Sequence, residues 1–156
     1  MSAPEQERLL LIDDSAPVRE VLRAALESEG YRVIEAADGR EGVRLFREHR
    51  PALVIADIVM PEKDGIETVR EILAIDPAAV IFTMSGESGA EDHNEVARML
   101  GAKRGFGKPP RLEDLLGAID TELTLLSLPP PPWLPDVSRV AQNPYSFNAD
   151  PQEAAD

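Results

Sequence analysis

Acidic, hydroxyl and ammonium side chains follow four short strand-like runs of this sequence, each at the point where a run ends. These side chains are Asp13, Asp14, Asp57, Ser85 and Lys108. If the runs are parallel strands of one sheet, their carboxyl ends meet at one edge, which is where open α/β sheets bind ligands. We therefore expect the five side chains to lie close together.

Such a set could carry out phosphoryl transfer assisted by a metal ion. Three carboxylates held together repel one another unless a cation or a proton relieves the repulsion. Oxygen ligands of this kind suit Mg²⁺, which keeps several waters and takes one or two carboxylates. A hydroxyl and an ammonium group can hold phosphoryl oxygens, and an aspartate can be the nucleophile that forms an acyl phosphate.

Each of these residues also has a simpler interpretation when it is considered alone. Asp57 could be a turn residue or a helix cap, and Asp13 with Asp14 could cap the first helix. Ser85 could be a turn hydroxyl, and Lys108 could be a solvated surface charge. Their joint spacing, and no single residue, supports the functional interpretation.

Apolar residues alternate between two patterns from residue 9 to residue 126. Short apolar runs predict five strands, at 9–12, 31–36, 53–56, 79–84 and 105–107. Apolar residues at helical spacing predict a helix after each strand, and Ser15 and Ser88 are suited to cap two of them. Asp38-Gly39 predicts the turn into the second helix. His49 and His93 fall on helices and are assigned to the surface without a role. Alternating strands and helices predict a three-layer α/β domain with a parallel sheet and helices on both faces.

The composition is that of a globular protein with an acidic excess. Hydrophobic residues make up 43% of the 156 residues, charged residues 29%, and the formal net charge is −13. This charge argues against nucleic-acid binding, which gains affinity from Lys and Arg contacts to phosphates. We expect no membrane segment, no signal peptide and, without cysteines, neither disulfides nor thiolate metal sites. A cytoplasmic location is the expectation that fits these features.

The composition changes after residue 127, where proline becomes frequent. Half of the 14 prolines lie beyond residue 128, and the run 129–132 predicts polyproline II. We expect residues 7–127 to form the domain and residues 128–156 to form a proline-rich tail without a second domain. Trp133, Tyr145 and Phe147 could anchor this tail to the domain or to a partner, and a solvated tail is the alternative.

Four pieces of the sequence resemble the receiver domain of two-component response regulators, across about residues 7–127. The pieces are Leu11-Ile12-Asp13-Asp14-Ser15, Asp57-Ile58-Val59-Met60-Pro61-Glu62-Lys63-Asp64-Gly65, Met84-Ser85-Gly86 and Lys108-Pro109. The resemblance is to single-domain, chemotaxis-regulator-like receivers. It implies a flavodoxin-like fold with a five-stranded sheet in the order 2-1-3-4-5, and a signalling module that is not an enzyme.

The resemblance also implies the roles of the individual residues. Asp57 would accept a phosphoryl group from a partner histidine kinase or phosphotransfer protein. Ser85 and Lys108 would bind the phosphoryl oxygens, and the Lys108–Pro109 peptide would be cis. The implied Mg²⁺ ligands are Asp14, Asp57 and the carbonyl of Val59, with Asp13 acting through water.

The sequence departs from the family pattern near Lys108. Receiver domains often carry an aromatic residue three positions before this lysine, where its rotamer follows phosphorylation. Gly105 stands there, while Phe106 falls on the neighbouring, inward-facing position. Pro110 stands where Phe is frequent. We therefore expect free space on the surface formed by the fourth helix, fifth strand and fifth helix.

The function predicted from the sequence is a stand-alone receiver that signals through protein binding or phosphotransfer. One alternative is a Mg²⁺-dependent phosphatase of the haloacid-dehalogenase type, but its nucleophile would follow the first strand in an Asp-x-Asp pattern. The adjacent Asp13 and Asp14 do not fit that pattern. A phosphorylation-independent interaction domain and a transcription factor without its DNA-binding part are further alternatives.

Overall fold

The computed structural model describes residues 7–59, 65–86, 90–127 and 132, without the side chains of 90–92 and 127. Within these residues, five strands alternate with five helices. In chain order they are β1 (Arg8–Ile12), α1 (Ala16–Ser28), β2 (Arg32–Ala36), α2 (Gly39–His49), β3 (Leu53–Asp57), α3 (Gly65–Ile75), β4 (Ile81–Ser85), α4 (Ala90–Leu100), β5 (Arg104–Gly107) and α5 (Leu112–Ser127).

The strands form one parallel sheet in the order β2-β1-β3-β4-β5, as predicted. The three inner strands are covered on both faces, which explains their nearly continuous apolar sequences. Every residue of β3 and β4 is buried. The edge strands β2 and β5 are more exposed, which agrees with their more polar sequences.

Two apolar clusters confirm the three-layer arrangement. Side chains alternate between the faces of a strand, so Leu10, Val54 and Ile81 pack with α2, α3 and α4 on one face. Leu9, Leu53 and Phe82 belong to the cluster on the other face, and that cluster includes residues of α1 and α5. Phe106 lies on this second face, where its ring centroid is 5.6 Å from that of Phe82, which confirms the predicted inward orientation.

Local capping explains where two helices begin. The Ser15 hydroxyl accepts a hydrogen bond from the Val18 N–H at the start of α1, as predicted. The Asp38 carboxylate accepts one from the Glu41 N–H at 2.8 Å and caps α2. These caps fix the loops that leave the carboxyl ends of β1 and β2.

The strand boundaries differ slightly from those predicted. Asp57 belongs to β3 because the ladder continues beside it, with Ile58 N donating to Met84 O at 2.9 Å. Residues 60–64 of the motif that resembles receiver domains, the cap predicted at Ser88 and the tail segment with Trp133 lie outside the described residues. In the part of the chain that is described, no helix has the length and apolarity needed to cross a bilayer.

Candidate functional site

Three carboxylates meet at the carboxyl edge of the sheet. Asp13 and Asp14 follow β1, and Asp57 ends the adjacent strand β3. One carboxylate oxygen from each residue lies within 4.8 Å of the other two. Asp13 and Asp57 are buried, whereas Asp14 is exposed. The structure therefore brings the three predicted acidic residues together in one cluster.

The two oxygens of the Asp13 carboxylate have different surroundings. Its Oδ1 accepts hydrogen bonds from Ser15 N at 2.8 Å and from Lys108 Nζ at 3.2 Å. Its Oδ2 is 3.0 Å from the same Nζ as an ion pair, yet no described donor gives this buried oxygen a well-oriented hydrogen bond. Asp13 Oδ2 is thus a buried acceptor available to a water or a cation.

Lys108 connects the far side of the sheet to the carboxylates. It follows β5 directly, and its peptide bond to Pro109 is cis, as predicted. Its Nζ donates to Asp57 Oδ2 at 2.8 Å, in addition to its contacts with Asp13. One ammonium group therefore lies against two buried carboxylates, with a third carboxylate nearby.

Burial and nearby charges shift the pKa values of Asp57 and Lys108. Burial raises the pKa of the Asp57 carboxyl and the Asp13 charge raises it further, although the hydrogen bond from Lys108 acts in the opposite direction. Burial on its own would lower the pKa of Lys108, but its hydrogen bonds and attraction to Asp57 and Asp13 raise that pKa above its ordinary value. The cluster is therefore short of positive charge.

Replacing Asp57 with Asn should stabilise the metal-free protein at neutral pH. The raised pKa means that the folded chain binds this proton more tightly than the unfolded chain, so stability falls as pH rises through the folded-state pKa. Asp57→Asn removes that loss, and each kcal/mol regained raises Tm by roughly 2–4 °C. Melting curves in EDTA at several pH values measure the effect.

The gain should disappear at acidic pH, where the wild-type Asp57 is protonated. Glu20→Gln is the matched control, because Glu20 is an exposed acid on α1 and its replacement also removes one negative charge. A Tm of Asp57→Asn equal to or below that of the wild type at neutral pH would contradict the expected direction.

Ser85 and Val59 lie beside Asp57 in different ways. Ser85 ends β4 and is fully buried, and its Oγ is 3.5 Å from Nδ1 of His93. The Val59 N–H donates to Asp57 Oδ1 at 3.2 Å, which orients the carboxylate. The roles of Ser85 in phosphoryl binding and of the Val59 carbonyl in metal binding stay predictions.

The structure corrects the interpretation of His93. This residue was assigned to the surface, but it is half-buried on α4 and lies against Ser85. The only signal in the sequence is its position eight residues after Ser85, on a helix that packs beside β4.

Gly65 allows α3 to begin directly against the strand that carries Asp57. The Gly65 N–H donates to Ile58 O at 2.7 Å. A Cβ on this residue would overlap the Asp57 carbonyl oxygen and Ile58 Cα, which are backbone atoms that cannot move aside. Glycine at this position therefore lets α3 start next to the acidic cluster.

The donor set fits Mg²⁺ on three observations. All candidate ligands are oxygens, which Mg²⁺ prefers. Asp13 Oδ2 is buried without a hydrogen-bond donor among the described residues. Three carboxylates lie together while the ammonium group of Lys108 contacts only two of them. The residues that would hold the ion are Asp13, Asp14, Asp57 and, through its carbonyl, Val59.

Comparisons with known proteins agree with this geometry. Residues 9–120 match the family described as the response regulator receiver domain. The chain is 39% identical over 117 residues to the chemotaxis protein CheY of Halobacterium salinarum, an alignment that covers 75% of this chain and 97% of that protein. It is 40% identical over 116 residues to the transcriptional regulatory protein PdtaR of Mycobacterium tuberculosis, which covers 72% of this chain but only 55% of that regulator.

A solved structure shows the same similarity in three dimensions. The CheY-like receiver domain protein of Methanospirillum hungatei superimposes with a TM-score of 0.72 at 27% sequence identity, over 77% of this chain and 95% of that one. The order of the strands, the converging carboxylates and the family match lead to the same conclusion. This chain belongs to the receiver domain family of two-component response regulators.

Proposed function

We propose that this chain is a stand-alone response regulator in which Asp57 accepts a phosphoryl group in the presence of Mg²⁺. The observation that carries this proposal is the position of Asp57, whose Oδ2 is 2.8 Å from Lys108 Nζ beside the carboxylates of Asp13 and Asp14. Phosphorylation and Mg²⁺ binding at an acidic pocket are general to receiver domains. Residues 7–127 would be the receiver and residues 128–156 a proline-rich tail.

The side chains at the site suit the individual steps of the transfer. A carboxylate oxygen of Asp57 attacks the phosphorus of the donor, the bond from phosphorus to the donor atom breaks, and the donor leaves with its bonding electrons. Mg²⁺, when bound, neutralises charge on the carboxylates and on the phosphoryl oxygens.

Two side chains can move to bind the oxygens of the transferred phosphoryl group. The Lys108 ammonium group would move from the Asp57 carboxylate to a phosphoryl oxygen. The Ser85 hydroxyl would turn from His93 and donate to another phosphoryl oxygen. The movement of Lys108 keeps a charge-assisted hydrogen bond, and the movement of Ser85 exchanges its contact with His93 for one.

The donor and the output are proteins in this proposal. Receiver domains are signalling domains that interact with histidine kinases or phosphotransfer proteins, and we propose one of these as the donor. The match to nearly the whole length of a chemotaxis protein supports output by protein binding or by phosphotransfer. The chain spans about half the length of the transcriptional regulator that it matches, and its net charge of −13 does not favour nucleic acid as the partner.

Acetyl phosphate with Mg²⁺ should add one phosphoryl group to the wild-type chain, and Asp57→Asn should add none. The amide of Asn cannot form the acyl phosphate, although it fills the same space. Mass spectrometry of the intact protein measures the addition. EDTA should prevent the labelling, and Glu20→Gln should label like the wild type. Undiminished labelling of Asp57→Asn would show that Asp57 is not the acceptor.

A further inference from the structure

Arg19 ties the loop that carries the acidic residues to the edge of the sheet. This residue lies in the first turn of α1, and its side chain is only 17% exposed. Its Nη1 donates a hydrogen bond of 2.6 Å to the carbonyl oxygen of Asp13. Its Nε donates to Glu35 Oε1 of β2 at 3.2 Å. One guanidinium group therefore joins a loop carbonyl to a strand carboxylate by charge-assisted bonds.

The carbonyl that Arg19 holds belongs to the peptide between Asp13 and Asp14. The Asp13 carboxylate has anchors of its own in Ser15 N and Lys108. The exposed Asp14 carboxylate has no hydrogen bond or ion pair to any described residue. The direction of the Asp14 side chain therefore follows from the orientation of this peptide, and Arg19 is the side chain that fixes it.

Glu35 makes a cation at this position compatible with a metal site. A guanidinium group near a divalent ion would repel it, but Glu35 accepts from Arg19 through one oxygen and from Arg23 Nη1 through the other, at 3.0 Å. Glu35 thus offsets the charge of Arg19 and also holds its planar group in position. Arg23 is half-exposed and also pairs with Glu27, so it makes the outer part of this network.

We propose that Arg19 is a positioning residue for Mg²⁺, because it sets the Asp13–Asp14 peptide so that Asp14 faces the acidic cluster. This inference rests on the proposed function, since that function needs Asp14 as a metal ligand. The proposal differs from a purely electrostatic effect in the sign of its consequence. Removing a positive charge near the site would strengthen cation binding, whereas losing the position of Asp14 weakens it.

Arg19→Ala in the full chain should weaken Mg²⁺ binding about tenfold, the loss that removing a group behind a metal ligand commonly causes. Isothermal titration with Mg²⁺ alone measures the Kd. In labelling with acetyl phosphate, the Mg²⁺ concentration for half-maximal rate should rise by the same factor, while the rate at saturating Mg²⁺ stays near that of the wild type.

Arg23→Ala is the matched control, because it removes the outer contact of Glu35 and leaves both bonds of Arg19. Its Kd for Mg²⁺ should equal that of the wild type, and a loss equal to that of Arg19→Ala would overturn the proposal. Arg19→Lys keeps the positive charge but lacks the planar fork that bonds both Asp13 O and Glu35, and it should shift the Kd in the same direction. If Arg19→Ala does not fold, an unchanged Kd in Arg19→Lys overturns the proposal.

The outcomes also separate this inference from the proposed function. A wild-type chain that neither binds Mg²⁺ nor labels contradicts the proposed function itself. A wild-type chain that does both, with equal or tighter Mg²⁺ binding by a folded Arg19→Ala, contradicts only the role of Arg19.

Discussion

Mg²⁺ should raise the free energy of unfolding of this chain by about 2.7 kcal/mol when it is present at a hundred times its dissociation constant. Folding brings the carboxylates of Asp13, Asp14 and Asp57 together, whereas the unfolded chain separates residues 13 and 57 and hardly binds the ion. The same increment corresponds to a rise in Tm of roughly 5–10 °C. Thermal melting with Mg²⁺ and with EDTA measures it.

Asp14→Ala should remove most of this increment without changing the metal-free protein. The Asp14 side chain is exposed and lacks a described partner, and surface substitutions of this kind usually change stability by less than about 0.5 kcal/mol. Glu20→Ala, at another exposed acidic position, should keep the full increment. A wild-type Tm that does not respond to Mg²⁺ would contradict a metal site at this edge of the sheet.

Asp57→Asn and Asp14→Ala should therefore differ in their effect on the stability of the metal-free protein. Asp57 is buried, so replacing it relieves a cost in the metal-free state, while replacing the exposed Asp14 relieves almost none. Both remove a proposed metal ligand, and both should reduce the response to Mg²⁺. The comparison separates the electrostatic cost of the buried cluster from its capacity to bind a cation.

The fold was predictable because its sequence signals are local. The apolar runs of β1, β3 and β4 reflect strands covered on both faces, and Ser15 and Asp38 cap helices through contacts within three residues. Parallel strands also require that residues such as Asp57 and Lys108 gather at one edge, so the acidic cluster followed from the parallel sheet. The predicted third strand ended one residue early, at Ala56 instead of Asp57, because strand ends depend on the neighbouring strand.

The supporting residues of the site were not predictable in the same way. Arg19 and His93 lie on helices, where a polar residue ordinarily indicates a solvent-facing position. Their contacts join residues that are far apart in the chain, as in Arg19 with Glu35 or His93 with Ser85. Which side chain reaches across such a gap depends on helix placement and rotamer, and neither is encoded in local spacing.

Around Gly105, one feature was predictable from the sequence and another was not. The sequence predicted free space where receiver domains often carry an aromatic residue, and an open hollow of about 510 Å³ does adjoin Gly105 between β5 and α5. A second open hollow, of about 540 Å³, adjoins Gly105 on the α4 side, and there Asn94 lies directly against the glycine. The Asn94 amide accepts from Thr83 Oγ1 at 2.9 Å and donates to Phe106 O at 3.0 Å, which joins α4 to both β4 and β5.

Gly105→Ala should lower the free energy of unfolding by about 1–3 kcal/mol, the usual cost of an added methyl group that forces its neighbours to shift. Its Cβ would overlap Cβ and Cγ of Asn94, so α4 would have to move or the Asn94 amide would lose its two partners. Gly107→Ala is the matched control in the same strand, because a Cβ there meets no atom of the described residues within 4 Å. Urea denaturation at fixed Mg²⁺ measures both changes.

Removing the Asn94 side chain should abolish the destabilisation that Gly105→Ala causes. Asn94→Gly alone loses both hydrogen bonds and carries the cost of glycine within a helix, about 1 kcal/mol. In Gly105→Ala/Asn94→Gly no side chain remains for the new methyl group to overlap, so the double variant should be about as stable as Asn94→Gly alone. The coupling energy of this cycle then equals the full cost of Gly105→Ala. Additive losses in the double variant would show that Asn94 is not the reason why this position requires glycine.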